Sequence, residues 1–212
     1  LIDVARKWKL LVIEDASEAL GTIHKGKHAG SFGDVGVLSF NGNKIITTGG
    51  GGAVLTDDEG ISRKVSHLST TAKTPHQWRY FHDQIGYNYR MPNINAALGY
   101  AQLEKLELFI EANRKLYSRY QKAAMGNDLF TIFEEPLHSR SNYWLQAVML
   151  TDSVVGERDN ILNYLHEKNI RVRPVWDLLS SLPAFEQDPS GDLSTAKKLV
   201  EKIINLPSSS NL

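Results

Sequence analysis

Cysteine is absent from all 212 residues, which excludes disulfides, thiolate zinc sites and cysteine nucleophiles together. Neither sign of charge is in excess. The 24 basic and 24 acidic residues balance, and a pI of about 7.2 leaves no basic field of the kind that holds nucleic acid. No apolar run approaches the ~18 residues of a membrane span, and no charged-then-apolar signal segment opens the chain. These absences predict a soluble cytoplasmic protein with no nucleic-acid or membrane partner. Internal repeats and low-complexity segments are missing as well. The first residues, "LIDVARKWK", start inside a helical pattern without an initiating methionine, and "LPSSSNL" closes none. The sequence is therefore read as a piece of a longer protein.

What is present suits an α/β chain. Hydrophobic residues make up 42% of the sequence, enough for a sizeable core in one domain or two. Ile2, Val4, Ala5 and Trp8 predict an amphipathic helix, and "LLVIED" follows as a strand of the kind buried on both faces of a parallel sheet. "GDVGVLSF" and "GAVLTD" are two further strands. A polar segment, Asp57 to Ser69, leads into the aromatic, turn-rich "TAKTPHQWRYFHDQIGYNYRMPN". Past Pro92, apolar residues at Ile94, Ala97, Leu98, Ala101, Leu103, Leu106 and Ile110 keep helical spacing, with Asn93 the candidate N-cap. After Gly126 a smaller α+β unit is expected. It has strands in "NYWLQAVMLT" and "IRVRPVW", a helix over "ERDNILNYLHEKN" between them and another over "STAKKLVEKIINL". The boundary is placed on the linking helix, giving domains 1–115 and 116–212.

The chemistry gathers around Lys44, which stands between an apolar strand and four consecutive glycines, Gly49 to Gly52. Glycine lets backbone N–H groups approach an anion closely. The familiar phosphate loops do not fit, however: there is no Gly-Lys-Ser/Thr triplet, and G-x-G-x-x-G fails from Gly49 to Val54. Taken alone, a glycine run is more often a turn. His24 and His28 have i, i+4 spacing, but "HKGKHAG" is too rich in glycine for a helix and offers no third ligand, so they read as solvated loop residues and no metal is expected. His76 and His82 lie among aromatics that suit a pocket wall only by composition. Glu14 and Asp15 are more telling, because they sit at the carboxyl end of a strand, where open α/β sheets bind ligands. The plainer alternative is that Asp15 starts a turn or caps a helix. A lysine for a Schiff base and a carboxylate for a pyridine nitrogen are what pyridoxal phosphate needs, and Ser39, five residues before Lys44, offers a hydroxyl to the phosphate.

Three phrases carry a resemblance. D-A-x-E-A-x-G from Asp15 to Gly21, G-D-x-G-x-x-S-F-x-x-x-K from Gly33 to Lys44, and G-Y-N-Y-R-M from Gly86 to Met91 together resemble the DegT/StrS family of pyridoxal phosphate-dependent sugar aminotransferases. The likeness runs on more loosely to "INLP". The stretch "HDQIGYNYRMPNINAALG" is most similar to the branch that aminates the 4-keto group of UDP- or GDP-linked sugars on the way to nonulosonic acids.

The resemblance implies a fragment of the fold-type-I (aspartate aminotransferase) architecture: part of its large mixed-sheet domain, followed by a small C-terminal α+β domain. It also implies roles. Lys44 holds the cofactor and moves the proton, Asp15 pairs with the pyridinium nitrogen, and Ser39 binds the phosphate. Glu18 lies near the ring's 3-hydroxyl, at a position often occupied by glutamine or histidine. Asn88 reaches the phosphate of a partner subunit in a homodimer with shared sites. Arg90 and Arg173 are candidates for substrate anions, although an exposed strand arginine is the plainer reading of Arg173. The amino donor implied is L-glutamate, and the family's N-terminal cofactor-binding part is not in this sequence. Three rivals remain at this level. One is a sugar dehydratase of the same fold, which would carry histidine in place of Lys44. The others are a non-catalytic sugar-binding relative and a nucleotide-binding α/β domain of another kind.

Overall fold

The computed structural model describes residues 1–209. The end of the polar "PSSSNL" stretch, and with it the end of the small domain expected over 116–212, lies outside them. The chain divides into two compact units, Leu1–Ile110 with Leu137–Asn142, and Glu111–Pro136 with Tyr143–Leu212.

The first unit opens with helix α1, Ile2–Lys7, which buries only Ala5 and leaves Val4 and Trp8 exposed. Strand β1, Ile13–Asp15, is shorter than its apolar run predicts. It is not buried on both faces either, since Ile13 is 72% exposed. Within this chain β1 has one strand neighbour, β4. A hairpin of β2, Ile23–His24, and β3, Lys27–His28, comes next, then β4, Val35–Ser39, and β5, Gly52–Leu55. The main sheet has the order β1-β4-β5, with β1 parallel and β5 antiparallel to β4. It is thus mixed where the apolar runs alone suggested a parallel sheet. Gly36 is required at its centre, because a Cβ there would stand 1.8 Å from the Gly30 carbonyl oxygen.

The polar segment after β5 is a helix, α2, Glu59–Ser69, begun by Asp58, whose carboxylate accepts from Ile61 N at 2.9 Å. Helix α3, Asn93–Leu103, has Pro92 at its N-cap, so Asn93 is the first helical residue and its side chain caps nothing. A second helix, α4, Leu106–Ala123, starts after a break at Glu104 and Lys105, so the long apolar pattern is two helices. The division between the units falls within α4.

In the second unit β6, Phe130–Ile132, leads on to β7, Ser139–Arg140, which belongs to the first unit and pairs there with β2. Strand β8, Gln146–Leu150, helix α5, Arg158–Glu167, strand β9, Arg173–Pro174, helix α6, Ser194–Lys202, and strand β10, Ile203–Leu206, complete the chain. The sheet order is β6-β8-β10-β9, all antiparallel. The expected helix over "STAKKLVEKIINL" therefore ends at Lys202, and the β-branched pair Ile203–Ile204 continues as a central strand. Its core is Val148, Leu150, Val172 and Ile204.

Candidate active site

Asp15 ends β1, and in the parallel ladder it stands opposite Val37. Ser39 follows on β4, two residues beyond, or about 7 Å further along the strand direction. Both lie at the carboxyl ends of parallel strands, the side on which open α/β sheets take ligands. The turn after β1 is built by Asp15 itself, whose Oδ1 accepts from Ser17 N at 3.1 Å and from Ser17 Oγ. These two hydrogen bonds, helped by the nearby Lys44 charge, hold the Asp15 carboxyl below its usual 3.8 and keep it ionised. So Asp15 does start a turn, as its plainer reading has it, and it also remains a charged group facing Lys44.

Glu14 takes no part. Successive strand residues point to opposite faces, so Glu14 turns away from Asp15 and binds the glycine-rich turn behind. Its carboxylate accepts from Gly30 N at 2.9 Å and from the Phe32 and Gly33 amides. The histidines of the hairpin are likewise structural, and they are half-buried rather than solvated. His28 Nε2 accepts from Gly21 N at 2.7 Å, and His24 Nδ1 shares a hydrogen bond of 2.8 Å with Ser139 Oγ. Among the described residues no group of three His, Cys, Asp or Glu could hold a metal ion.

Lys44 sits on the loop joining β4 to β5. The loop is closed at its base by Phe40 N to Gly51 O at 2.9 Å and Thr48 N to Phe40 O at 3.0 Å. Gly49 and Gly51 have φ of 80° and 95°, the left-handed region that glycine enters freely, so the glycine run is what brings the chain back into β5. Helix α3 clamps the loop from one side. Gln102 accepts from Thr47 N at 3.1 Å and donates to Thr47 O at 2.8 Å, while Asn95 donates to Thr48 O at 2.5 Å. Neither residue was singled out from the sequence. Their seven-residue separation puts them on one helix face, but a polar pair on a helix usually reads as solvated surface. The clamp delivers the Lys44 amine to Glu18, Nζ to Oε1 3.1 Å, with the lysine side chain only 12% exposed.

The structure thus gathers Asp15, Glu18 and Lys44, with Ser39 beside them on β4. Asn88 and Arg90 are exposed on the aromatic stretch, which α2 carries through Tyr87 N to Leu68 O at 2.7 Å and Tyr89 N to Ser69 O at 3.0 Å. His76 and His82 are exposed there and hold the local backbone. His76 accepts from Arg79 N at 3.0 Å, and His82 donates to Thr71 O at 2.7 Å. Arg173 is exposed on β9, in the other unit.

An amine, an ionised carboxylate and a hydroxyl at strand ends suit a cofactor with a carbonyl, a basic ring nitrogen and a phosphate. Comparison with known proteins agrees. A profile of the DegT/DnrJ/EryC1/StrS aminotransferase family matches residues 1–212. EpsN of Bacillus subtilis (strain 168), provisionally named a pyridoxal phosphate-dependent aminotransferase, is 39% identical over the whole chain, which spans 55% of its length. GDP-perosamine synthase of Escherichia coli O157:H7 is 38% identical over 98% of the chain and 56% of its own. Among solved structures, Helicobacter pylori PseC, an aminotransferase involved in the biosynthesis of pseudoaminic acid, superimposes with a TM-score of 0.94 at 25% identity, covering the whole chain and 57% of PseC. The chain spans little more than half the length of these relatives, and it belongs to the DegT/DnrJ/EryC1/StrS aminotransferase family.

Proposed function

We propose that the protein of which this chain is a part is a pyridoxal phosphate-dependent aminotransferase. It moves an amino group from L-glutamate to the 4-keto group of a nucleotide-linked sugar, in the cytoplasm and as a homodimer. The observation that carries the reading is the Lys44 amine, largely enclosed on a clamped loop and 3.1 Å from a carboxylate at the ligand-binding end of the sheet. When bound, pyridoxal phosphate supplies a carbonyl that takes up amines and a ring that draws electrons from the neighbouring carbon.

The chain's own residues divide the rest of the work. Lys44 anchors the cofactor and then carries the proton between the reacting carbons, a task worth ~10²–10⁴-fold for a well-placed base. Asp15, kept ionised by Ser17, holds a proton on the ring nitrogen and so maintains its pull on electrons. Ser39 receives the phosphate, Glu18 lies by the ring's 3-hydroxyl, and Asn88 reaches the phosphate bound by the partner subunit. Arg90 and Arg173 meet the anions of the substrates. The domain roles follow, with 1–115 as cofactor-binding part and 116–212 as small domain. The sugar substrate is supported by the resemblance of the Gly86–Met91 region to 4-keto-sugar aminotransferases, and by the name of the perosamine synthase. The cytoplasmic assignment rests on the lack of cysteine, and no described helix is long and apolar enough to cross a membrane.

The test uses the full-length parent loaded with pyridoxal phosphate. Borohydride reduction and peptide mapping place the label on Lys44, L-glutamate changes the cofactor's absorption, and a UDP- or GDP-linked 4-keto sugar restores it while gaining an amine. A label on another lysine, or an absorption spectrum indifferent to every amino donor, overturns the reading.

A further inference from the structure

Two carboxylates stand on the turn that follows β1, and they are not equivalent. Asp15 is already engaged by Ser17 N and Oγ. Glu18 instead receives Lys44 Nζ at 3.1 Å, with its own side chain 51% exposed and the lysine's 12%. The backbone under Glu18 is fixed. Ala19 N donates to Ala16 O at 2.9 Å and Thr22 N to Ala19 O at 2.8 Å. Asn142, buried, donates to Glu18 O at 2.9 Å and to Leu20 O at 3.0 Å. The turn ends at Gly21, with φ of 82° and no room for a Cβ, which would meet Ile110 Cδ1 at 2.2 Å. The carboxylate is therefore mounted on a rigid turn, while the amine rides on a long flexible stem.

We propose that Glu18 is a positioning residue that receives the Lys44 ammonium whenever the lysine is not bonded to cofactor, and holds it at the carboxyl end of β1. The inference rests on the reading of Lys44 as the cofactor lysine. A lysine that is first an anchor and then a proton carrier has to stay at the reacting carbon once released. It also has to carry a positive charge in a largely enclosed place, which is costly without a counter-ion. Glutamate supplies a full charge there, which glutamine cannot. Asp15 also feels the Lys44 charge, and Ser17 holds it in place.

The experiment reads the amine itself, in full-length parent stripped of cofactor. Limiting formaldehyde with cyanoborohydride methylates only neutral amines, and peptide mass spectrometry compares the rate at Lys44 with that at exposed Lys7 and Lys27. Glu18→Gln, which keeps the shape and removes the charge, labels Lys44 about two- to fivefold faster than wild type, the size expected of a partly exposed ion pair. Glu18→Asp restores a slow rate. Raising the salt to about 1 M speeds labelling of Lys44 more in the wild type than in Glu18→Gln, because screening does to the pair what the substitution does. Equal Lys44 rates in wild type and Glu18→Gln overturn the proposal. So does a wild-type rate that ignores salt, and this arm stands even if Glu18→Gln does not fold. Failure of the cofactor-lysine reading looks different, since it shows as a borohydride label on another lysine whatever Glu18 does.

Discussion

Asp15 is a surface carboxylate whose ionisation is set by the residue two places on. Its folded titration lies below the ordinary 3.8, chiefly through the Ser17 hydroxyl and then the Ser17 amide. Its contribution is accordingly present above the ordinary value and lost as pH falls through the lower folded value. Ser17→Ala removes the larger of the two bonds and moves the acid limb of the parent's pH–rate profile upward, towards that of an unassisted aspartate. Asp15→Asn keeps the shape and removes the charge. Turnover is expected to fall by about 10²-fold or more while cofactor affinity changes far less, because charge matters most where electrons shift in the transition state; kcat and the cofactor Kd measured together check this. The neighbouring pair Glu14 and Asp15 shows how much of the site could be read beforehand. Their place at a strand end was legible, but which of them faces the lysine depends on the pleat and on the turn the chain makes next.

At the scale of elements, the Lys44 loop owes its shape to α3 as much as to its glycines. Gln102 satisfies both the N–H and the C=O of Thr47, and Thr48 is buried under Asn95. Gln102→Ala leaves two partly buried backbone groups without their partner, a loss of about 1–3 kcal/mol each where water does not replace it. The expected result is a lower Tm with cofactor affinity reduced about tenfold, read by thermal denaturation and cofactor titration. Gly99→Ala acts on the same contact from the helix side, since its Cβ would meet Thr48 Cγ2 at 2.6 Å. Helix periodicity announced α3 from the sequence. The break at Glu104 and Lys105 and the strand β10 were not announced, since local pattern carries no record of what an apolar face is to pack against.

For the whole molecule, the aromatic stretch before α3 is the telling surface. Trp78 is 75% exposed and Tyr80 80% within this chain, so the homodimer proposed above has large aromatic side chains there to cover. If Asn88 acts across a dimer, Lys44→Ala and Asn88→Ala parents, each weak alone, recover activity when mixed and allowed to exchange subunits. A mixed dimer then has one site with both defects and one with neither. No recovery in demonstrably mixed dimers would refute sharing. The second unit has a separate signature at high pH. Burial pushes the Tyr143 phenol well above its ordinary 10.0, so its contribution to stability is complete below that value and lost as pH rises beyond it. Spectrophotometric titration is expected to show Tyr143 ionising at higher pH than an ordinary tyrosine.

The amino-acid sequence by itself determined the alternation of strands and helices in the first unit, the lysine presented between a strand and a glycine run, the acid at a strand end and the family. Each of these is carried by residues close together along the chain. Tertiary structure decided the rest. It chose Glu18 as the partner of Lys44, gave Glu14 to the turn behind the sheet, set β1 beside β4, placed β10 between β8 and β9, and pressed Gln102 and Asn95 onto the lysine loop. Lys44 and Glu18 are separated by 26 positions and Gln102 and Thr47 by 55. Nothing local favours either pair, and each forms only because the folded backbone brings a donor within reach of an acceptor far away in the sequence.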